Sequence, residues 1–166
     1  MDFNLRPWKI TDIDSLVENA NNPEISKFMT DEFPHPFTAE NAKKFIEYAM
    51  SQYPIHFFAI EVNELAVGGI GVHQQTDIMK KNAELGYWLG QNYWGRGIVQ
   101  KAINEIVVYA FRTFDITRIY ARPYGTNLKS QYVLKKAGFV LEAHIEKNIF
   151  KNNEFVDELI YAIRRQ

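Results

Sequence analysis

Two glycines one residue apart, Gly95 and Gly97, sit between the run Gly86-Tyr87-Trp88-Leu89-Gly90 and a long stretch, Ile98 to Phe114, with helical periodicity. That order of residue types can bind an anion. Glycine takes backbone angles closed to other residues, so successive N–H groups can point at one concave spot, and a helix starting there adds the positive end of its dipole. A pyrophosphate fits such a spot. The spacing excludes two nucleotide sites: Gln100 stands where a dinucleotide fingerprint has its third glycine, and no Gly-Lys-Ser/Thr follows as in a Walker loop. Two glycines between a strand and a helix also make a plain tight turn, and the loop by itself is compatible with both.

The elements around this loop follow from periodicity. Ile98, Ala102, Ile103, Ile106, Val107, Ala110 and Phe111 recur at three- and four-residue spacing, so a helix runs from Ile98 to Phe114 with its apolar stripe on the core. Phe3 to Trp8 reads as a strand, Thr11 with Asp14 as a capping box opening a helix through Asn19, and Pro23 to Thr30 as a short helix. The segment Asp31 to Phe37 holds two close prolines and is an aromatic-rich loop before a helix from Thr38 to Ser51. Strands are expected at His56 to Val62, Ala66 to Gln74 and Asn82 to Leu89, with a turn at Asn63-Glu64. After the long helix come a strand at Arg118 to Arg122, a helix at Asn127 to Ala137 ended by Gly138, and strands at Phe139 to Phe150 and Phe155 to Ile163 around the turn Lys151-Asn152-Asn153. The order predicts an α/β fold with a mixed sheet and helices on both faces.

Composition narrows the class. At 166 residues, 46% hydrophobic and 14% aromatic, the chain has the size of one domain, 1–166, able to bury about two-thirds of its unfolded surface. Nineteen basic against twenty acidic residues, with no charge run, argue against nucleic acid or an anionic membrane as partner. The lack of cysteine excludes disulfides, thiolate metal sites and a cysteine nucleophile. His35, His56, His73 and His144 lack ligand spacing, so no metal is expected, and no Gly-x-Ser-x-Gly elbow supports serine hydrolysis. Without a leader-like start or an 18-residue apolar span, a cytoplasmic protein is expected.

Asn92-Tyr93-Trp94-Gly95-Arg96-Gly97-Ile98 resembles the acyl-CoA pyrophosphate loop of the GNAT superfamily of N-acetyltransferases, and Asn127-Leu128-Lys129-Ser130 with Lys136-Ala137-Gly138-Phe139 resembles its second motif. The Phe33-Pro34-His35-Pro36-Phe37 loop, the strand Ala83 to Leu89 and Asp157 are similar to the RimJ/RimL branch, which acetylates ribosomal-protein N-termini. The resemblance covers almost the whole chain and implies a mostly antiparallel twisted sheet of about seven strands. It also implies acetyl-CoA as cosubstrate and direct attack by a primary amine in a ternary complex, by a monomer or homodimer. Two positions depart from the wider pattern: Asn92 replaces Gln or Arg, and Leu134 replaces a tyrosine that protonates the departing thiolate in many members.

The resemblance also assigns roles. The main chain of Gly86, Tyr87, Trp88 and Leu89 lies along pantetheine like an added strand, and the N–H groups from Tyr93 through Trp94, Gly95, Arg96 and Gly97 to Ile98 hold the pyrophosphate. Arg96 adds a charge-assisted contact or is simply an exposed loop arginine. Glu84, on the strand that carries the thioester, draws the proton from the acceptor ammonium, or else forms an ion pair with a nearby basic residue; Glu146 is the rival base. Asn127 bonds a pantetheine amide or the acceptor, caps its helix, or does both. By elimination rather than by resemblance, Ser130 is the candidate acid or thiolate anchor, or else a plain helix-surface serine, with Tyr132 behind it; Phe33, His35, Phe37 and Trp88 wall the acceptor site or simply pack. Three alternatives stay open: acetylation of a small amine such as a polyamine, amino sugar or antibiotic; a non-catalytic acyl-CoA sensor; and a mononucleotide-binding module, which leaves the second motif unexplained.

Overall fold

The computed structural model describes residues 1–166 and contains one seven-stranded sheet in the order β1 (Asn4–Pro7), β2 (Phe57–Val62), β3 (Leu65–Gln74), β4 (Asn82–Leu89), β5 (Arg118–Ala121), β7 (Glu154–Arg164), β6 (Val140–Lys151). Residue packing divides the chain into two compact units, Met1–Gly71 with Tyr87–Ala102, and Val72–Gly86 with Ile103–Gln166. No helix is long and apolar enough to cross a membrane.

In the first unit, β1 (Asn4–Pro7) pairs antiparallel with β2 (Phe57–Val62), and β2 with β3 (Leu65–Gln74). Asn63 and Glu64, at φ 49° and 66°, form the two-residue turn that joins β2 to β3 with the twist antiparallel strands require. α1 (Ile13–Ala20), α2 (Pro23–Ser26) and α3 (Ala39–Ser51) complete it. α3 starts where expected because Thr38 and Asn41 cap each other: the Asn41 N–H donates to Thr38 Oγ1 at 3.2 Å, and the Thr38 N–H to Asn41 Oδ1 at 2.9 Å. Its stripe of Ala42, Ile46 and Ala49 enters a core with Trp8, Leu16, Ala20, Ile25 and Phe37. Burying Leu16 and Ile46 stabilises the unit by roughly 1.5–3 kcal/mol each.

Two helix starts and stops differ from expectation. The Thr11/Asp14 box does not form; a 3-10 turn at Ile10–Asp12 precedes α1, and Asp12 accepts the Lys9 N–H at 2.9 Å. Asp12 is fixed there by Arg6, whose Nη1 and Nη2 each donate to it at 2.8 Å. α2 is four residues rather than eight, because the bonds from Phe28 N–H to Ile25 O and from Met29 N–H to Ser26 O span three residues instead of four, a tightening turn that ends the helix.

In the second unit, the first residues of β4 (Asn82–Leu89) pair parallel with β5 (Arg118–Ala121), from Asn82↔Arg118 to Glu84↔Tyr120. β5 pairs antiparallel with β7 (Glu154–Arg164), and β7 with β6 (Val140–Lys151), so the last strand lies between its hairpin partner and β5. Asn152 and Asn153, at φ 52° and 62°, make the hairpin turn. β6 is not the uninterrupted strand the sequence suggests: its register shifts between Leu141 and Ala143 and again between Ile145 and Ile149, and Lys147 in the second shift has φ 50°. α4 (Ile98–Thr113) passes from the first unit into the second, where Ile103 and Ile106 are fully buried; α5 (Leu128–Lys136) ends at Gly138, φ 89°. Leu134, on α5, is 0% exposed and belongs to the core.

Candidate active site

The glycine loop is held at its entry and open at its tip. Gly90 donates to Val67 O at 2.8 Å, Tyr93 N–H to Gly90 O at 2.9 Å, Trp94 N–H to Gln91 O at 3.2 Å, and the Trp94 indole to Leu89 O at 2.7 Å. Asn22 Nδ2 donates to Gln91 Oε1 at 2.7 Å. Beyond this 3-10 turn, Gly95 and Gly97 take φ 72° and 73°, conformations that L side chains rarely adopt, and a Cβ built on either meets no heavy atom within 4 Å. Left-handed glycines on either side of Arg96 are the backbone pattern able to turn successive N–H groups toward one anion. The first ladder bond of α4 runs from Lys101 N–H to Gly97 O at 3.3 Å, so the N–H groups of Ile98, Val99 and Gln100 belong to the turn that has no acceptor inside the helix. A phosphate can approach this main chain without displacing a side chain. Tyr93 and Trp94 are part of the brace, their N–H groups spent on the preceding turn. Arg96 is exposed and donates from Nη2 to Asn92 O at 3.3 Å.

The aromatic residues assigned to the acceptor wall are unequal. Trp88 is buried, its ring 5.9 Å from Phe33, which is 5.1 Å from the buried Phe37. A Cβ on Gly69 would stand 2.8 Å from the Trp88 indole nitrogen, so the sheet is cut away there to admit the ring. The Phe37 N–H donates to Asn21 Oδ1 at 2.9 Å. His35 is exposed, and Tyr87 and Phe33 are half-buried. Trp88 and Leu89 commit their side chains to packing, so their main chain is what they can offer a ligand.

In the second unit, side chains from neighbouring strands meet around Glu84. Tyr120, its register partner, hydrogen-bonds it through the hydroxyl. Burial pushes the Tyr120 hydroxyl up, and the Glu84 carboxylate pushes it the same way, so it stays protonated and donates. Arg122 Nη1 lies 3.9 Å from Glu84 Oε2, while Arg122 Nε donates to Glu158 Oε1 at 2.6 Å. Glu158 is 3% exposed, and its second oxygen accepts from Asn148 Nδ2 at 2.5 Å. Glu84 therefore has the basic neighbour expected of a carboxylate in an apolar strand. The arrangement can hold a carboxylate in one orientation and receive a proton on it.

The remaining sequence candidates divide by surroundings. Asn127 caps α5, its Oδ1 accepting the Ser130 N–H at 3.2 Å, and Ser130 is half-buried in the first turn. Tyr132 is exposed, with Lys136 Nζ 5.6 Å from its ring centroid. Glu146 is exposed within the second register shift of β6. That bulge is pinned to Asp157, which accepts the Lys147 N–H at 2.9 Å and lies 2.7 Å from His144 Nε2. Tyr120, Arg122, Asn148 and Glu158 were missed by sequence reasoning. Glu158, directly before Leu159-Ile160, carried the signal applied to Glu84, an acidic residue within a strand beside apolar neighbours.

Residues 2–140 match the family described as acetyltransferase (GNAT) domain. The Bacillus subtilis (strain 168) protein named "Probable N-acetyltransferase YjcK" is 29% identical, over 96% of this chain and 92% of its own. The ribosomal-protein-serine acetyltransferase of Escherichia coli (strain K12) is 26% identical, over 66% of this chain and 60% of its own. Among solved structures, the microcin C7 self immunity acetyltransferase MccE, in complex with acetyl-CoA and AMP, superposes with a TM-score of 0.83 at 25% identity, over 99% of this chain and 93% of that one. With a family match spanning most of the sequence, the chain belongs to the GNAT acetyltransferase family, and its activity is acetyl-CoA-dependent N-acetylation.

Proposed function

We propose that the acceptor is the N-terminal amine of a protein or peptide, and that residues 1–166 act as one acyltransferase domain in the cytoplasm. The observation that carries the catalytic part is the set of partners around Glu84, a half-buried carboxylate held by Tyr120 and Arg122 at the end of the β4–β5 pairing. The protein acceptor is supported by the relative in Escherichia coli named for a ribosomal-protein serine.

The loop at Gly95, Arg96, Gly97 and Ile98, with the first turn of α4, holds the pyrophosphate of acetyl-CoA, and the main chain of Gly86 to Leu89 runs beside its pantetheine. Glu84 takes a proton from the acceptor ammonium. The neutral amine attacks the thioester carbonyl and the N–C bond forms; the attacking nitrogen releases its second proton to solvent, the C–S bond breaks, and the thiolate leaves with a hydrogen bond from Ser130, or with a proton passed through the Ser130 hydroxyl, which is replaced from solvent. Asn127 fixes Ser130 by capping the same turn.

A small-molecule amine is the second reading, favoured by the match to MccE, a self immunity acetyltransferase bound to AMP. The experiment that decides is thiol release from acetyl-CoA with a panel of free and N-terminally blocked peptides, polyamines and amino sugars. Turnover with free peptides and none with the blocked forms is expected. Turnover with small amines alone would move the assignment to the second reading.

A further inference from the structure

Arg122 has two carboxylate neighbours at unequal distance, and the inequality separates an anchor from a working contact. Its Nε is locked at 2.6 Å onto Glu158, whose two oxygens are both occupied, one by Arg122 and one by Asn148. Glu158 is buried on β7, so it is a fixed point from which a long, otherwise mobile side chain is hung. The other end of the guanidinium, Nη1, stays 3.9 Å from Glu84, longer than a hydrogen bond. At that distance the charge acts on Glu84 while its oxygen keeps a lone pair free for a proton. Tyr120 completes the set on β5, with the Arg118 guanidinium 4.7 Å from its ring centroid. The groups that set the charge balance around Glu84 are thus Tyr120, Arg118 and Arg122, with Glu158 behind Arg122.

We propose that Arg122 is a positioning residue for acetyl transfer: anchored on buried Glu158, its guanidinium acts with the Tyr120 hydroxyl to fix the orientation of the Glu84 carboxylate toward the acceptor amine. This rests on the base role of Glu84 proposed above, and the test separates the two.

Steady-state kinetics with acetyl-CoA and a peptide acceptor are measured across pH for the parent, Glu84→Gln, Arg122→Gln, Arg122→Lys and the double variant Glu84→Gln/Arg122→Gln. Arg122→Gln is expected to lower kcat roughly tenfold to a hundredfold, less than loss of the base itself, with the KM for acetyl-CoA unchanged. Arg122→Lys should recover part of the rate, and the double variant should be no slower than Glu84→Gln alone. Because Arg122→Gln strands the buried Glu158, Arg122→Gln/Glu158→Gln, which removes both charges, gives the same readout in a chain without an unpaired buried carboxylate. Parental kcat in both Arg122→Gln and Arg122→Gln/Glu158→Gln, with Glu84→Gln slow, would overturn the positioning role alone. Full activity in Glu84→Gln would overturn the base role and the positioning role with it.

Discussion

The glycine loop and the charged cluster around Glu84 are built from opposite materials. The loop is main chain: Gly95 and Gly97 stand at φ 72° and 73°, and a Cβ built on either meets no heavy atom within 4 Å. The cluster is side chain: Glu84 from β4, Tyr120 and Arg122 from β5 and its exit, Glu158 from β7 and Asn148 from β6. A main-chain site needs only consecutive residues able to take unusual backbone angles. A side-chain site needs a sheet order that brings distant strands together. The loop should therefore tolerate changes of side chain and fail when it gains a Cβ, whereas the cluster should fail when a single functional group is exchanged.

The sharpest contrast is Glu84→Gln, which keeps shape and removes a charge. It should reduce kcat by roughly 10²- to 10⁴-fold at neutral pH while leaving CoA affinity intact, and the loss should shrink as pH approaches the acceptor pKa, where the amine is already neutral. Rate profiles against pH check this. A small loss, uniform across pH, would leave Glu84 a structural ion pair, and a larger loss at Glu146→Gln would move the base to the bulge of β6.

The first unit holds a second charged cluster whose work is stability. Burial opposes ionisation of Asp12, but the bonds from Arg6 and the Lys9 N–H outweigh it, and the Asp12 carboxyl titrates below its ordinary range; the Arg6 bond lowers Glu61 as well. Arg6 and Asp12 keep only 13% and 7% of their side chains exposed. A carboxyl depressed in the folded state contributes its full stability above the unfolded value of about 4, and loses it as pH falls through the folded value. Arg6→Gln should therefore cost about 3 kcal/mol at neutral pH and clearly less in strong acid, read by denaturant unfolding at both. An equal cost at both would remove the linkage.

Leu134 shows how local sequence misleads when a core decides. The residue stands where the resemblance to the wider superfamily pattern implies a tyrosine, which invites Leu134→Tyr as a restored acid. Its side chain is fully buried, so the larger ring should instead destabilise the protein by roughly 1–3 kcal/mol without raising turnover. Thermal unfolding with kinetics tests both halves; a stable, faster variant would reopen the position as an acid site.

The same contrast explains what could be read in advance. Gly95 and Gly97 were legible because the chemistry of the loop lies in neighbouring residues, and the strand and helix order was legible because periodicity is local. Glu84 was legible as an oddity in an apolar strand. Its partners were not, because Arg122 and Glu158 lie 36 residues apart in sequence and meet only through the β5–β7 pairing. The Thr11 box failed because Asp12 was claimed by Arg6, six residues earlier, an ion pair that no capping pattern contains.

Arg96→Ala is the smallest expected change. Its guanidinium is exposed and bonds the Asn92 carbonyl at 3.3 Å, so its loss should weaken acetyl-CoA binding by no more than about 1 kcal/mol. A larger loss would give the loop a side-chain component and blur the contrast.

The central claim, a main-chain cradle for the CoA pyrophosphate, is tested most directly by calorimetric titration of acetyl-CoA into Gly97→Val, with Arg96→Ala alongside. Valine is strained at φ 73° and places its methyl groups in the open concavity, so affinity should fall by at least about tenfold while circular dichroism shows a folded chain. Parental affinity in a folded Gly97→Val protein would contradict the account.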